Sequence, residues 1–211
     1  MSKKKLRQTI ADTLKVLNCE YPDAQCSLNF STPFELLVAT IMSAQSTDIR
    51  VNKVTQKLFA DYRSIEDYAS AEPEDVAKVI RTVGCFRNKA RSIVESARII
   101  CASENKQVPQ TIAGLLLLPG VGRKTANVVL SNVFDQPGFA VDTHVKRVAY
   151  RLGWTTFSQP DKIETQLCDL ISAQQWGHTS HLLIYHGRAV CKARKPQCKL
   201  CPIEKECAKC F

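Results

Sequence analysis

The sequence lacks any long apolar run, and this excludes a membrane-spanning helix. The four leucines at residues 115–118 fall far short of the roughly 18 residues that cross a bilayer. The basic N-terminus MSKKKLRQ is followed by polar residues and Asp12, so no secretory signal is predicted. We therefore expect the chain in a reducing intracellular compartment, where its ten cysteines do not form a disulfide framework.

The sequence also lacks alternating strand patterns, low-complexity segments and repeats. Apolar residues recur instead at helical spacing, which predicts an all-α fold with short polar links. Thr32 and Glu35 form a predicted capping box, with Pro33 at the first helical position. Further helices are predicted at residues 76–83 with Gly84 as the stop, 126–133, 145–152 with Gly153 as the stop, about 160–171 and about 179–190.

The charge balance is basic. The chain has 29 Lys and Arg against 20 Asp and Glu, a net charge of +9. Such a surplus favours polyanionic partners such as nucleic acid, although proteins without such a partner reach it too.

The stretch LPGVGRKTANVVL, residues 118–130, places a glycine-rich turn before an amphipathic helix. Gly120 and Gly122 can adopt backbone angles closed to other residues and let a ligand approach the main chain. The N–H groups at the following helix start suit a phosphate oxygen. Arg123 and Lys124 stand where the helix dipole disfavours cations, which indicates an anion at this turn. An ordinary helix–helix turn is the alternative, and the two cations favour binding to the DNA backbone.

Lys124 and Asp142 are the candidate catalytic residues. A partly buried lysine at a helix mouth, close to other cations, has a lowered pKa, and a neutral lysine can form a Schiff base. A phosphate-contacting lysine is the alternative for Lys124. Asp142, in VDTHV, is a predicted helix N-cap whose carboxylate could also stabilise a developing cationic sugar. The intervening chain is long enough for the two side chains to meet, although the sequence does not require it.

Five cysteines crowd into the last 21 residues with the pattern Cys191-x6-Cys198-x2-Cys201-x5-Cys207, followed by Cys210. Four clustered thiolates can hold zinc or an iron–sulfur cluster. The two Cys-x-x-Cys pairs lie closer together than in a common zinc arrangement, which favours iron–sulfur. A basic loop suited to phosphate contacts surrounds them, formed by Arg188, Lys192, Arg194, Lys195 and Lys199.

Together and in this order, these motifs resemble the endonuclease III family. LPGVGRKTANVVL followed by VDTHVKRV resembles the helix–hairpin–helix and Gly-Pro-Asp region of DNA glycosylases. The 6-2-5 cysteine spacing is similar to the family's [4Fe–4S] loop, and LLVATIMSAQSTDIRVNKV resembles its N-terminal part. The resemblance covers nearly the whole chain.

The resemblance implies a bifunctional DNA glycosylase and abasic-site lyase. Such an enzyme removes oxidised pyrimidines from double-stranded DNA in base excision repair, through a Schiff base and β-elimination. The implied protein is a monomer, cytoplasmic and nucleoid-associated in a cell of prokaryotic type. The implied fold is two helical domains with a DNA-binding cleft between them. One is a six-helix domain at residues 26–136, and the other is a discontinuous iron–sulfur domain formed by residues 1–25 and 137–211.

The resemblance also assigns roles to single residues. Lys124 falls on the nucleophile position and Asp142 on the catalytic aspartate. Gln45 matches the glutamine that fills the gap left by the flipped nucleotide. Cys85 stands where the family often carries a leucine that wedges against the orphaned base, so this chain has a smaller plug. The implied ligands of one [4Fe–4S] cluster are Cys191, Cys198, Cys201 and Cys207, with Cys210 left over. The predicted DNA contacts are Gln45, Cys85, Gly120, Val121, Gly122, Arg123, Arg147 and Lys195.

Two other functions fit parts of the sequence. A related iron–sulfur adenine glycosylase is disfavoured because that relative lacks the lysine and has a large C-terminal recognition domain. A non-catalytic DNA-binding or redox-sensing protein would not need both Lys124 and Asp142. The spacing of His178, His181 and His186 fits no metal-binding pair on one helix face, which predicts surface or core positions.

Overall fold

A computed structural model describes residues 2–210 as helices joined by short loops, with no strand in that range. The α-helices are α1 (Lys3–Glu20), α2 (Pro33–Ser43), α3 (Asp48–Asp61), α4 (Ile65–Ser70), α5 (Pro73–Val79), α6 (Phe86–Ala102), α7 (Ile112–Leu116), α8 (Arg123–Val133), α9 (Thr143–Arg151), α10 (Pro160–Leu170) and α11 (Trp176–Ala189). Short 3-10 turns lie at Ala173–Gln175 and Cys198–Leu200. The predicted all-α fold is confirmed. No helix within residues 2–210 is both long and apolar enough to cross a membrane.

The chain divides into two compact units. One, the internal unit, is Cys26–Gln136 and contains α2 to α8. The other, the terminal unit, joins Met1–Gln25 to Pro137–Phe211 and contains α1 and α9 to α11.

Helix α2 forms the centre of the internal unit. It is apolar on all sides, and its residues from Phe34 to Met42 are buried except Glu35. A helix without a polar face must be enclosed by its neighbours, and α2 packs against α3, α6 and α8. Helix α6 also contacts α4 and α5, while α7 packs on α8.

The terminal unit is built around α11, which packs against α9 and α1. Its core includes the fully buried side chains of Leu17, Trp154 and Leu183. Ile203, within the cysteine-rich tail, is buried in the same core. The tail is therefore anchored to the helices by apolar packing as well as by hydrogen bonds.

The capping box before α2 is present in modified form. The backbone N–H of Glu35 donates to Thr32 Oγ1 at 3.1 Å, as predicted. The Glu35 carboxylate accepts from the N–H of Ser31 instead of that of Thr32. The cap therefore reaches one residue further back along the chain than the predicted pattern.

The predicted helix at residues 76–83 was too long. Helix α5 ends at Val79, and the N–H of Val83 donates to the Ile80 carbonyl at 2.9 Å in a tight turn. The N–H of Gly84 donates to Ser46 Oγ at 3.2 Å. The apolar spacing was real, because Val76, Ile80 and Val83 are buried, but this loop contact replaces the last helical turn.

Candidate functional site

The glycine turn forms a helix–hairpin–helix between α7 and α8. The N–H of Val121 donates to the Leu118 carbonyl at 3.1 Å, and Val121 is buried. Ser96 Oγ on α6 donates to the Pro119 carbonyl at 3.2 Å. The hairpin is thus stabilised by a hydrogen bond from α6 as well as by a hydrogen bond within its own turn.

The two glycines of the turn occupy their positions for different structural reasons. Gly120 has φ +77°, and a Cβ built on it would lie 2.9 Å from Cβ of Ser92. Gly122 has φ −98° and ψ 176°, an extended conformation open to any residue. Apart from its chain neighbours, no atom of residues 2–210 lies within 4 Å of a Cβ built on Gly122. The expectation that both glycines need special backbone angles is therefore wrong for Gly122, whose lack of a side chain leaves open space at the helix start.

Helix α8 begins with exposed cations. Gly122 occupies its N-cap position and has no side chain that could accept a cap hydrogen bond from the first N–H groups. Arg123 and Lys124, the first two helical residues, are exposed. The expectation that Lys124 is partly buried is wrong. Uncapped N–H groups and two cations at one helix end make a concentrated positive site.

Gln45 and Cys85 are brought together on neighbouring loops of the internal unit. Both are exposed and both lie in the left-handed region, with φ 57° and 55°. The Cys85 thiol donates to Oε1 of Gln45 over a long 3.9 Å. Left-handed backbone in residues other than glycine costs of order 1–3 kcal/mol, and such strain clusters at functional sites.

Asp142 is the N-cap of α9, as predicted. Its Oδ1 accepts from the N–H groups of His144 and Val145, both at 2.8 Å. The second carboxylate oxygen, Oδ2, makes neither of these bonds. One carboxylate oxygen therefore holds the helix start by itself.

Arg147 makes internal contacts. Its Nε donates to the Cys191 carbonyl at 3.0 Å and Nη2 to the Gly187 carbonyl at 2.9 Å. Nη2 also lies 3.1 Å from Nδ1 of His144. Burial lowers the pKa of His144, although the negative charge of Asp142 partly offsets this by raising it. Arg147 thus links the helix that begins at Asp142 to the start of the cysteine loop. Its predicted contact with DNA stays a prediction.

Four of the five clustered cysteines line one cavity of the terminal unit. Cys191, Cys198, Cys201 and Cys207 surround it together with Arg151. Cys210 lines a separate groove with Lys146, Tyr150 and Phe157. No three cysteine, histidine or acidic side chains of residues 2–210 converge closely enough to be grouped around a single metal ion.

The environment of these thiols opposes their ionisation. Burial raises the pKa of Cys201 and Cys207, and the neighbouring thiols Cys191 and Cys198 raise it further. Four thiolates here would repel one another unless a positively charged group lay between them, so a metal-containing group must displace the protons as it binds.

Some polar partners of the cysteine loop carry no clear sequence signal. Arg151, at the end of α9, donates to Cys191 Sγ at 3.5 Å and to the Lys192 carbonyl at 2.7 Å. His186 is buried, with Nε2 3.6 Å from Cys201 Sγ and Nδ1 3.2 Å from the Tyr21 hydroxyl. Burial lowers the pKa of His186 to about 4. These groups come from distant parts of the chain, so no local pattern could have identified them.

The outer side of the cysteine loop is basic. Lys195 is exposed in a left-handed conformation with φ 53°. The other lysines and arginine of the loop are exposed as well, namely Lys192, Arg194 and Lys199. Their charges face solvent, as a surface for binding a polyanion requires.

The remaining histidines take the predicted surface and core positions. His178 is exposed and lies 2.5 Å from Asn18 Oδ1. His181 is half-buried, and burial lowers its pKa to about 4.

The fold and the hairpin define the class: this is an all-α helix–hairpin–helix protein. Residues 38–173 match the family described as HhH-GPD superfamily base excision DNA repair protein. An endonuclease III from Synechocystis sp. is 48% identical over 208 residues, covering 98% of this chain and 94% of that protein. The chain belongs to the endonuclease III family of the HhH-GPD superfamily.

Solved structures agree over nearly the full length. A non-covalent complex of an endonuclease III with DNA superposes with a TM-score of 0.91 at 42% identity, covering 99% of this chain and 96% of that one. A trapped covalent endonuclease III–DNA intermediate superposes with a TM-score of 0.90 at 41% identity, covering 99% and 97%.

The two glycines of the hairpin should respond differently to substitution. Gly120→Ala forces a Cβ into the left-handed region and against Ser92, so we expect a loss of about 1–3 kcal/mol in the free energy of unfolding. Gly122→Ser adds a favourable N-cap side chain in open space and should leave stability equal or raise it by a few tenths of a kcal/mol. Urea denaturation measures both. Equal stability of Gly120→Ala and the wild type would show that the turn does not need its left-handed residue.

Proposed function

We propose that this protein is a bifunctional DNA glycosylase and abasic-site lyase that removes oxidised pyrimidines from duplex DNA in base excision repair. The observation that carries the proposal is an exposed lysine, Lys124, in the first turn of an uncapped helix directly after the glycine turn. Membership of the endonuclease III family supports it, as does the likeness to a trapped covalent DNA intermediate.

Lys124 is the proposed nucleophile. Its amine attacks C1′ of the damaged nucleotide, the N-glycosidic bond breaks, and the base leaves with the bonding electrons and takes up a proton. The sugar ring opens to give a Schiff base with the lysine. Loss of a proton from C2′ then expels the 3′-phosphate by β-elimination and cuts the strand.

The hairpin supplies the binding energy for this chemistry. Uncapped N–H groups at the start of α8 suit a phosphate oxygen, and the open space at Gly122 lets the DNA backbone approach. DNA phosphates would also place negative charge beside Arg123 and Lys124, at a helix end whose dipole disfavours cations. Two cations that destabilise the free helix start therefore become favourable when DNA binds.

Gln45 and Cys85 are the proposed insertion residues. Taking a nucleotide out of the stack costs a few kcal/mol, and a side chain that fills the vacated space offsets part of this cost. Their exposure and their neighbouring left-handed loops suit this role. Since Cys85 is smaller than leucine, we expect it to press less firmly against the orphaned base.

Asp142 is the proposed catalytic carboxylate. One of its oxygens caps α9, and its negative charge can stabilise the cationic character that develops on the sugar as the base leaves.

We infer that the cysteine cavity holds one [4Fe–4S] cluster. Four thiols line a single cavity, and Arg151 donates towards one of their sulfurs, which suits a group that carries negatively charged ligands. The proposed ligands are Cys191, Cys198, Cys201 and Cys207. The cluster would supply a rigid cross-link for the tail. The exposed cations of the loop, including Lys195, would then be held in a fixed array against DNA phosphates.

Lys124 can be tested by borohydride, which reduces a Schiff base to a stable amine. Lys124→Gln should abolish covalent trapping on abasic duplex DNA, because the nucleophile is lost, while DNA affinity stays within a few-fold, because only one positive charge is removed. The matched control is Arg123→Gln, which removes the neighbouring exposed charge and should still be trapped. Undiminished trapping of Lys124→Gln would remove this lysine from the mechanism.

Two substitutions can distinguish the capping role of Asp142 from its proposed catalytic role. Asp142→Asn retains an Oδ1 acceptor for both N–H groups, so stability should change by less than about 1 kcal/mol, whereas base release should fall by about 100-fold or more. Asp142→Ala should lose the cap as well. Single-turnover base release and thermal melting measure the two effects. If release fell only in proportion to stability, Asp142 would be a helix cap alone.

The ligand set predicts distinct phenotypes for two neighbouring cysteines. The purified protein should be yellow-brown with about four irons per chain. Cys207→Ser should lose iron and visible absorbance, while Cys210→Ser should keep both, because Cys210 lines a different groove. Bleaching of Cys210→Ser together with full colour in Cys191→Ser would instead assign the last four cysteines.

A further inference from the structure

Lys89 is a buried cation that the proposed chemistry does not use. It lies on α6 of the internal unit and is only 7% exposed. Its Nζ donates to the Met42 carbonyl at 2.9 Å and also to the Ala44 carbonyl. Burying an ammonium is costly unless hydrogen bonds and charge compensate for the lost water.

The end of α2 supplies that compensation. Met42 is in the last turn of α2 and Ala44 is its C-cap, so their carbonyls belong to the group that a helix leaves without partners. These carbonyls also carry the negative end of the helix dipole. The last turn of α2 has no basic residue of its own, so the cation comes from α6. Burial nevertheless lowers the pKa of Lys89, as expected for an ammonium removed from water.

Lys89 joins the two loops that carry the insertion residues. Ala44 directly precedes Gln45, and the N–H of Lys89 donates to the Cys85 carbonyl at 3.1 Å in the first turn of α6. One side chain therefore connects the segment before Gln45 to the helix that follows Cys85. Besides the long Cys85–Gln45 contact, two further bonds hold this region, from the Gly84 N–H to Ser46 Oγ at 3.2 Å and from Arg50 Nη1 on α3 to the Thr82 carbonyl at 3.3 Å.

Such a connection is needed because both insertion residues have unfavourable backbone conformations. Gln45 and Cys85 hold φ values of 57° and 55°, which persist only where surrounding contacts enforce them. Of these contacts, the two Lys89 Nζ bonds are charge-assisted, the stronger kind of hydrogen bond, and lie at buried or part-buried positions. The other two lie at exposed positions.

We propose that Lys89 is a positioning residue that fixes Gln45 relative to Cys85, so that both side chains enter the duplex together when the damaged nucleotide leaves the stack. This inference rests on the proposed function and adds a residue that need not touch DNA. Preorganised insertion matters most for a base that is still stacked and paired. It matters less for an abasic nucleotide, which has no base to unstack.

The test is Lys89→Met, which keeps the side-chain length and removes the charge and the donors. We expect single-turnover release of an oxidised pyrimidine to fall by about tenfold or more. A tenfold change in rate corresponds to the free energy that one hydrogen bond of this kind contributes. Strand cleavage at a preformed abasic site should fall by about threefold or less. Lys89→Arg, which can still donate to carbonyls, should recover part of the base release.

A spectroscopic signal separates positioning from general destabilisation. With 2-aminopurine opposite a tetrahydrofuran abasic analogue, insertion by the wild type displaces the orphaned base and raises its fluorescence. Lys89→Met, measured at saturating protein below its melting transition, should give a smaller rise. The matched control is Lys78→Met, an exposed lysine of the same unit paired with Asp75, which should match the wild type in all three assays.

Ser46→Ala keeps the inference testable if Lys89→Met does not fold. It removes one exposed bond between the same loops and should reduce base release more than abasic cleavage, by a smaller factor. Equal losses of base release and abasic cleavage, or no loss in either, would overturn the role of Lys89. A wild-type protein that released no base would instead refute the proposed function itself.

Discussion

The burial of helix α2 is the constraint on which the internal unit depends. Because α2 has no polar face, every neighbouring helix must cover part of it, and this arranges α3, α6 and α8 around one axis. Each feature of the unit that is proposed to contact DNA then lies close to this helix. The hairpin approaches it at Gly120, where a Cβ would lie 3.5 Å from Ile41 Cγ2, and the Gln45 loop continues directly from its C-terminus.

The two ends of α2 are satisfied in different ways. At the N-terminus Thr32 and Glu35 supply a local cap, which stabilises the helix without involving any other element. At the C-terminus the carbonyls accept from Lys89, which comes from a separate helix. A local cap affects one helix only, whereas the distant cation makes the position of the Gln45 loop depend on α6. The second arrangement suits a loop that has to hold a strained conformation.

Helix α9 has the corresponding role in the terminal unit. Its first turn is held by Asp142, and its side chains Arg147 and Arg151 donate to carbonyls at the start of the cysteine loop. Arg147 can cross to Gly187 because that residue has no side chain; a Cβ there would lie 3.1 Å from Arg147 Nη2. The proposed catalytic carboxylate and the proposed cluster ligands are therefore connected to one short helix, so a change in the loop can reach Asp142 through few contacts.

Local interactions determined what the sequence alone could predict. Several features depend on residues within a few positions of one another: helical periodicity, the cap at Thr32, the N-cap at Asp142 and the glycine turn before α8. They can therefore be predicted from the sequence. Cysteine spacing is likewise a local property, and by itself it indicates a metal-containing group.

Tertiary structure decided the features that depend on distant segments. The exposure of Lys124, the extended backbone of Gly122 and the premature end of α5 follow from what packs beside them. Lys89 shows the same limit. It stands four residues before Ile93 on the apolar face of α6. Helical periodicity shows that a charged residue interrupts this face, but it does not show which groups the charge contacts. Its partners are carbonyls 47 and 45 residues away along the chain, and only folding brings a buried charge to the helix end that stabilises it.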